Sequence, residues 1–191
     1  MEFNNEMTAQ ESLRIISETM NNNRRDILRN SAKYFLLWGA LLTAMSLIIY
    51  LLWHSSGKPV WNLLWFAMPV IGYLLAGILH KRDAAIPDNL VGKPTGQVWA
   101  LFGALSVTIS AISCFLVPMP LTLIIVVLMG CAEAVSGILL KNWPIIIGGF
   151  VLAVGGAVAA MLLKTEAQLL LFTLGGIILM VTGLAVKSQY K

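Results

Sequence analysis

Charge is what this sequence has least of. Only 12% of its 191 residues are Asp, Glu, Lys or Arg, against about a quarter in soluble globular domains. None of the four occurs in 34–57, 59–80, 94–132, 142–163 or 167–186. Blocks that long leave no polar face to meet water, which argues against a soluble bundle of buried helices. Cysteine is nearly as scarce. Cys114 and Cys131 differ in depth by about 10 Å on the helices expected below, too far for a disulfide, so both are expected as small buried apolar residues. Two histidines, His54 and His80, fall at opposite ends of the apolar blocks. No Ser–His–Asp set, carboxylate pair or metal-ligand spacing appears. The expectation is a protein that is not an enzyme and carries no metal and no cofactor.

What is present is oil. Hydrophobic residues make up 58% of the chain and the mean hydropathy is +0.82. A helix crosses a bilayer with about 20 apolar residues. The 94–132 block is long enough for two, and "VPMP" (117–120) is the place to divide it, because proline ends one helix and starts the next. The pattern predicts an all-α, polytopic membrane protein. Its six transmembrane helices span 34–53, 61–80, 97–117, 120–140, 143–163 and 168–186, followed by a short tail, 187–191. No cleavable signal is expected, since the first apolar run begins only at Tyr34.

Orientation follows from the bases. With the N-terminus inside, eleven of the thirteen lysines and arginines lie on the inner side, and only Lys58 and Lys164 lie outside. By the positive-inside rule both termini face the cytoplasm, and a bacterial inner membrane is expected. The net charge of +4 is accounted for by this topology and gives no reason to expect nucleic acid as a partner. Trp53, Trp61 and Trp65 would mark the outer interface, and Trp38, Trp99 and Trp143 the inner one.

The spans read as three hairpins of one design. "AGILHK" (76–81), "SGILLK" (136–141) and "TGLAVK" (182–187) end the even spans alike, and "GALLTAMS" (39–46), "GALSVTIS" (103–110) and "GFVLAVGG" (149–156) begin the odd ones. At an offset of 46, Gly103 coincides with Gly149, Gly130 with Gly176 and Gly137 with Gly183. Since each hairpin runs inside–outside–inside, the repeat is parallel. Small residues spaced by four, as in Gly149, Ala153 and Ala157, or by three and four along one stripe, as in Gly103, Ser106, Ser110 and Ser113 of helix 3, suit close helix packing in lipid. Pro69 is expected to kink the second span.

The first 33 residues are the only sizeable polar region. "TAQE" (8–11) fits a capping box. Leu13, Ile16 and Met20 follow on one stripe of a short cytoplasmic amphipathic helix, which "NNN" (21–23) would end. Arg24, Arg25, Arg29 and Lys33, with Trp38, would then anchor the chain at the membrane surface. The helix reads either as interfacial, lying on the inner leaflet, or as a docking element in which Leu13, Ile16 and Met20 meet a cytoplasmic protein partner or a second copy in a homo-oligomer. The long connection "KRDAAIPDNLVGKPTG" (81–96) is no phosphate loop, because Pro94 stands where the lysine should be followed by Ser or Thr.

One acid breaks the oil. Glu133 sits in "LTLIIVVLMGCAEAVSGILLK" (121–141), about 12 Å deeper than Lys141. An acid at that depth is a functional hypothesis by default. Gly130, Ala134 and Gly137 share its face, so it should point at other helices rather than lipid. Two readings stand side by side: a neutral packing residue bonded to a serine of the 106/110/113 stripe, or an intramembrane proton or ligand site built from Glu133, Ser106, Ser110 and Ser136. Position 133 aligns with Leu179 in the repeat, so the acid is not part of the common design.

The run "ESLRIISETM", the bases after it and "YFLLWG" (34–39) resemble a group of uncharacterised small bacterial membrane proteins with an N-terminal cytoplasmic helix. The six-span plan over 34–187 also resembles the HdeD-type acid-resistance membrane proteins. Neither resemblance supplies a catalytic residue. Together these readings point to a scaffold, sensor or regulatory partner acting through its cytoplasmic face, or to a small transporter or channel using Glu133.

Overall fold

The computed structural model describes residues 8–80 and 92–189, and no strand occurs among them. The connection 81–91, with Lys81 and Arg82, lies outside the described residues. The helices are α1 (Ala9–Ser56), α2 (Ala67–His80), α3 (Gly92–Phe115), α4 (Leu121–Leu140), α5 (Trp143–Phe150), α6 (Gly156–Leu162) and α7 (Leu169–Gln189). A three-ten helix, Pro59–Phe66, leads into α2, and a π-helical turn, Val151–Gly155, joins α5 to α6. Six of the resulting rods are long and apolar enough to cross a membrane: Gln10–Ser56, Pro59–Leu79, Lys93–Phe115, Leu121–Leu140, Trp143–Leu162 and Leu169–Gln189. The chain is therefore a multi-pass helical membrane protein.

The most extensive contacts run along α1–α7 and α4–α5; α2 packs on α1 and α3 on α4, while α3 also meets α2 at Gly103–Tyr73 and α1 at Trp99–Phe35. The buried core is filled from α1 (Leu28, Phe35, Leu42), α4 (Val126, Met129, Leu140), α5 (Ile145) and α7 (Phe172, Leu179, Val186). The second and third spans are the least buried. Leu74 on α2 and Leu101 on α3 are 65% and 61% exposed, as expected for surfaces that meet lipid tails.

Glycine sets the distance across both main seams. A Cβ added at Gly130 would lie 2.6 Å from the Gly149 carbonyl oxygen, and one at Gly149 would lie 2.6 Å from the Gly130 oxygen. The same reciprocal 2.6 Å contact joins Gly39 of α1 to Gly176 of α7. With no hydrophobic force between helices in lipid, backbones must come this near to gain dispersion. Seven residues along each helix, Gly137 rests on Ile146 and Gly183 on Phe35 and Leu36. The small stripe of α3 makes no such seam. A Cβ at Gly103 would meet only the Tyr73 hydroxyl, at 3.5 Å.

Three expectations change. "NNN" does not end a helix: α1 runs unbroken for 48 residues, with Thr8 Oγ1 accepting from the Glu11 N–H at 3.3 Å as its cap. Asn costs a helix well under 1 kcal/mol per residue, less than the hydrogen bonds a break would forfeit. Pro69 does not kink an established helix either. It stands in the first turn of α2, where its missing N–H costs nothing, and the preceding turn is the three-ten segment. The cysteines are free, but both are exposed rather than buried. Trp143 is 72% exposed, and Trp38, Trp65 and Trp99 pack against Tyr73, Phe172 and Phe35.

Candidate functional site

The α4–α5–α7 seam encloses the acid. Helix α5 starts where the sequence says a helix should: Asn142 is the N-cap, its Oδ1 accepting from the Ile145 N–H, with Pro144 in the first turn. Asn142 also donates from Nδ2 to Gln189 Oε1 at 2.9 Å, tying the start of α5 to the end of α7. Lys141, at φ 50°, makes the tight left-handed turn that brings α5 back against α4. This turn is what places Gly148 opposite Glu133.

Glu133 is 0% exposed. A Cβ at Gly148 would lie 2.7 Å from Glu133 Oε1 and 2.7 Å from Thr182 Oγ1. The carboxyl of α4 and the hydroxyl of α7 therefore converge over a bare stretch of α5 that only glycine leaves open. Thr182 is the polar side chain that approaches the carboxyl, yet it stays short of hydrogen-bond geometry, and neither carboxyl oxygen has a hydrogen-bond partner. A buried carboxylate with no cation and no donor would cost several kcal/mol.

The other residues expected at this site are placed as follows. Ser136 is fully buried one turn from Glu133, and its hydroxyl donates to the Ala132 carbonyl oxygen at 2.7 Å, so it is spent on its own helix. Ser106 holds its hydroxyl buried without a partner on α3, and Ser110 is half-buried on the same helix. Ser113 accepts from the Met119 N–H. No α3 serine is hydrogen-bonded to Glu133, since neither carboxyl oxygen has a partner. The group facing the acid is Thr182, which the sequence offered only as a small residue ending a hairpin. Its signal was a register: Gly175, Thr182 and Gln189 recur every seven residues, on one face of α7.

A second polar cluster, between α1 and α7, is fully satisfied. Ser46, 0% exposed, shares a 2.8 Å hydrogen bond with Thr173 Oγ1 and donates to the Thr43 carbonyl oxygen. At the far end of the bundle His54 Nδ1 lies 3.5 Å from Glu166 Oε2, both exposed. No group of His, Cys, Asp and Glu that could hold a metal occurs among the described residues.

The N-terminal half of α1 offers a different kind of surface. Its contact with α7 begins at Ile27 and Leu28, which are buried with Val186. From Ala9 to Asp26 the helix extends about 27 Å past that point. Along it Leu13, Ile15, Ile16 and Met20 are 66%, 42%, 55% and 37% exposed. Arg25, Arg29 and Lys33 are exposed as well, and Trp38 is half-buried; the Arg24 side chain lies outside the described residues. No protein-family model, curated protein or solved structure matches the chain.

Proposed function

We propose that this protein is a non-enzymatic scaffold or regulatory partner of the bacterial inner membrane, with both termini in the cytoplasm, and that the projecting half of α1 is its docking element. One observation carries the reading: four large apolar side chains lie exposed on a helix that is continuous with the packed core. A continuous helix costs no new nucleus, so the surface is presented rigidly. It cannot fold down onto the inner leaflet without a break that α1 lacks. Its tip is also acidic: residues 1–18 carry four glutamates against Arg14, and an anionic lipid surface repels that end while attracting Arg25, Arg29 and Lys33. The partner that fits is a protein with an apolar groove and a basic rim.

The body of the molecule supports three parallel hairpins of one design. Gly149 and Ala153 meet α4 at Ala134 and Gly130, while Gly39 and Thr43 meet α7 at Met180 and Gly176. Each pair of α4 and α7 positions differs by 46 residues, the offset read from the sequence.

A transport reading rests on a separate observation, the burial of Glu133 with no partner. Two experiments separate the readings. Capture of a cytoplasmic protein by the full chain should be lost in Leu13→Ser/Ile16→Ser, and an unchanged set of captured proteins counts against docking. Flux in liposomes that falls in Glu133→Gln supports transport; equal flux in both, or none, removes it.

A further inference from the structure

We propose that the Lys187 end of the α1–α7 seam binds the phosphate of an anionic phospholipid, held between Arg25 and Arg29 of α1 and Lys187 of α7. The seam supplies the register. On α1 the positions that meet α7 run Thr43, Gly39, Leu36 and Ala32, and on α7 those that meet α1 run Gly176, Met180 and Gly183. Both stripes step by four and three. Their next steps are Arg29 and Arg25 on α1 and Lys187 on α7. Small and apolar residues therefore give way to bases on both facing stripes at once. The proposal goes beyond docking by α1 and does not depend on it.

The bases also share a level. A Cβ at Gly183 would lie 3.1 Å from the Ala32 carbonyl oxygen and 3.2 Å from Leu36 Cγ. Four residues on, Lys187 lies about 6 Å farther along α7, and Arg29 lies about 4.5 Å beyond Ala32 along α1. All three bases are exposed. Like charges at facing positions repel. Asp26, exposed one turn from Arg29, and the half-charge at the end of α7 still leave the bases in excess. An anion between the helices removes the repulsion and bonds to both, and the guanidinium fork matches a phosphate.

Depth selects a lipid as the source of that phosphate. Lys187 directly follows the charge-free block 167–186, and Arg29 stands five residues, about 7.5 Å, before the block that begins at Tyr34. The headgroup layer outside the hydrocarbon is about 5–7 Å deep on each side, so the bases bracket the level of the lipid phosphates. Deeper along α7, Ile177, Val181 and Leu184 are exposed and offer the acyl chains an apolar strip that runs up to Lys187. Ordinary anchoring by a basic surface would need neither the seam register nor a base from α7.

Thermal unfolding of the full chain in dodecyl maltoside micelles tests this, with phosphatidylglycerol, phosphatidylcholine or inorganic phosphate added. Phosphatidylglycerol should raise the melting temperature, and the other two should not. In Arg29→Gln/Lys187→Gln the phosphatidylglycerol concentration at half-effect should rise about thirtyfold, since each base near an anionic surface is worth about a factor of five. Lys58→Gln/Lys93→Gln removes as much charge away from the seam and should respond as wild type. Without lipid, Arg29→Gln/Lys187→Gln should melt no lower than wild type, because the bases repel; a lower value overturns the uncompensated cluster. Equal losses of response in the two double variants, or an equal rise with phosphatidylcholine, overturn the site. An equal rise with inorganic phosphate overturns the lipid as its ligand.

Discussion

Adding one methyl group should discriminate between glycines that fix a seam and glycines that do not. Consider Gly130→Ala in the α4–α5 seam. Its Cβ would stand 2.6 Å from the Gly149 carbonyl oxygen, about 0.8 Å inside the 3.4 Å at which ordinary contact begins. The obstructing atoms are backbone, including the nitrogen and Cα of Ala153, so no side chain can swing away. The helices must separate, and a gap of 0.5–1 Å forfeits a quarter to a half of each contact's dispersion energy. Summed over the seam this is about 1–3 kcal/mol, the usual cost of overpacking. The gain in helix propensity, about 0.5–1 kcal/mol, offsets only part of it. At Gly77 on α2 a Cβ meets nothing within 4 Å, so Gly77→Ala keeps the whole gain. The two variants should therefore differ by about 1–3 kcal/mol, the packing cost alone, because the propensity gain is common to both. Unfolding in mixed detergent micelles measures both. Equal stabilities, or a Gly130→Ala variant more stable than wild type, would refute the close-packed seam.

The remaining predictions follow the same contacts. Gly176→Ala should destabilise like Gly130→Ala, and the double variant should be additive, because the two seams share no residues. Gly148→Ala pushes a methyl onto the Glu133 and Thr182 oxygens and should cost about 1–3 kcal/mol. In Gly148→Ala/Glu133→Ala the methyl no longer meets the carboxyl and still meets the Thr182 hydroxyl, so thermal unfolding should show a loss smaller than the sum of the single losses by at least about 0.5 kcal/mol. Asn142→Ala removes the cap of α5, about 1 kcal/mol, and a bond to Gln189, about another 1 kcal/mol; Gln189→Ala should show only the second loss. Leu13→Ser/Ile16→Ser should leave the melting temperature of the isolated chain unchanged, since neither side chain packs on the bundle. A lower melting temperature would mean that the projection is part of the core.

How much of this was legible beforehand depends on the range of the interaction. The spans follow from the absence of charge, which acts residue by residue, and the six apolar rods are found where the charge-free blocks lie. The cap at Thr8 and the start of α5 at Asn142–Pro144 are local as well. Failures came where a local signal met a longer-range one. Three asparagines were read as a stop, but a helix already nucleated on both sides carries through them. Pro69 was read as a kink, but the helix simply begins beside it. Glu133 was legible as an oddity because an acid that follows 39 residues without a charge cannot hide. Its neighbour was not. The serine stripe of α3 was closer in sequence and richer in hydroxyls, whereas the turn at Lys141 is what brings α5 over the acid, with Thr182 of α7 beside it. Cys131 was expected inside for its chemistry, whereas the side of α4 it occupies faces outward.

The docking reading depends above all on where the ends of the chain lie relative to the membrane, and this is measured directly by fusing a fluorescent reporter that matures only in the cytoplasm to each terminus in turn. The account predicts fluorescence from both fusions, with the exposed apolar stripe of α1 and the last turn of α7 on one side. Fluorescence from only one of the two would mean an odd number of crossings. Fluorescence from neither would place the projecting helix outside the cell, away from any cytoplasmic partner, and would contradict the account.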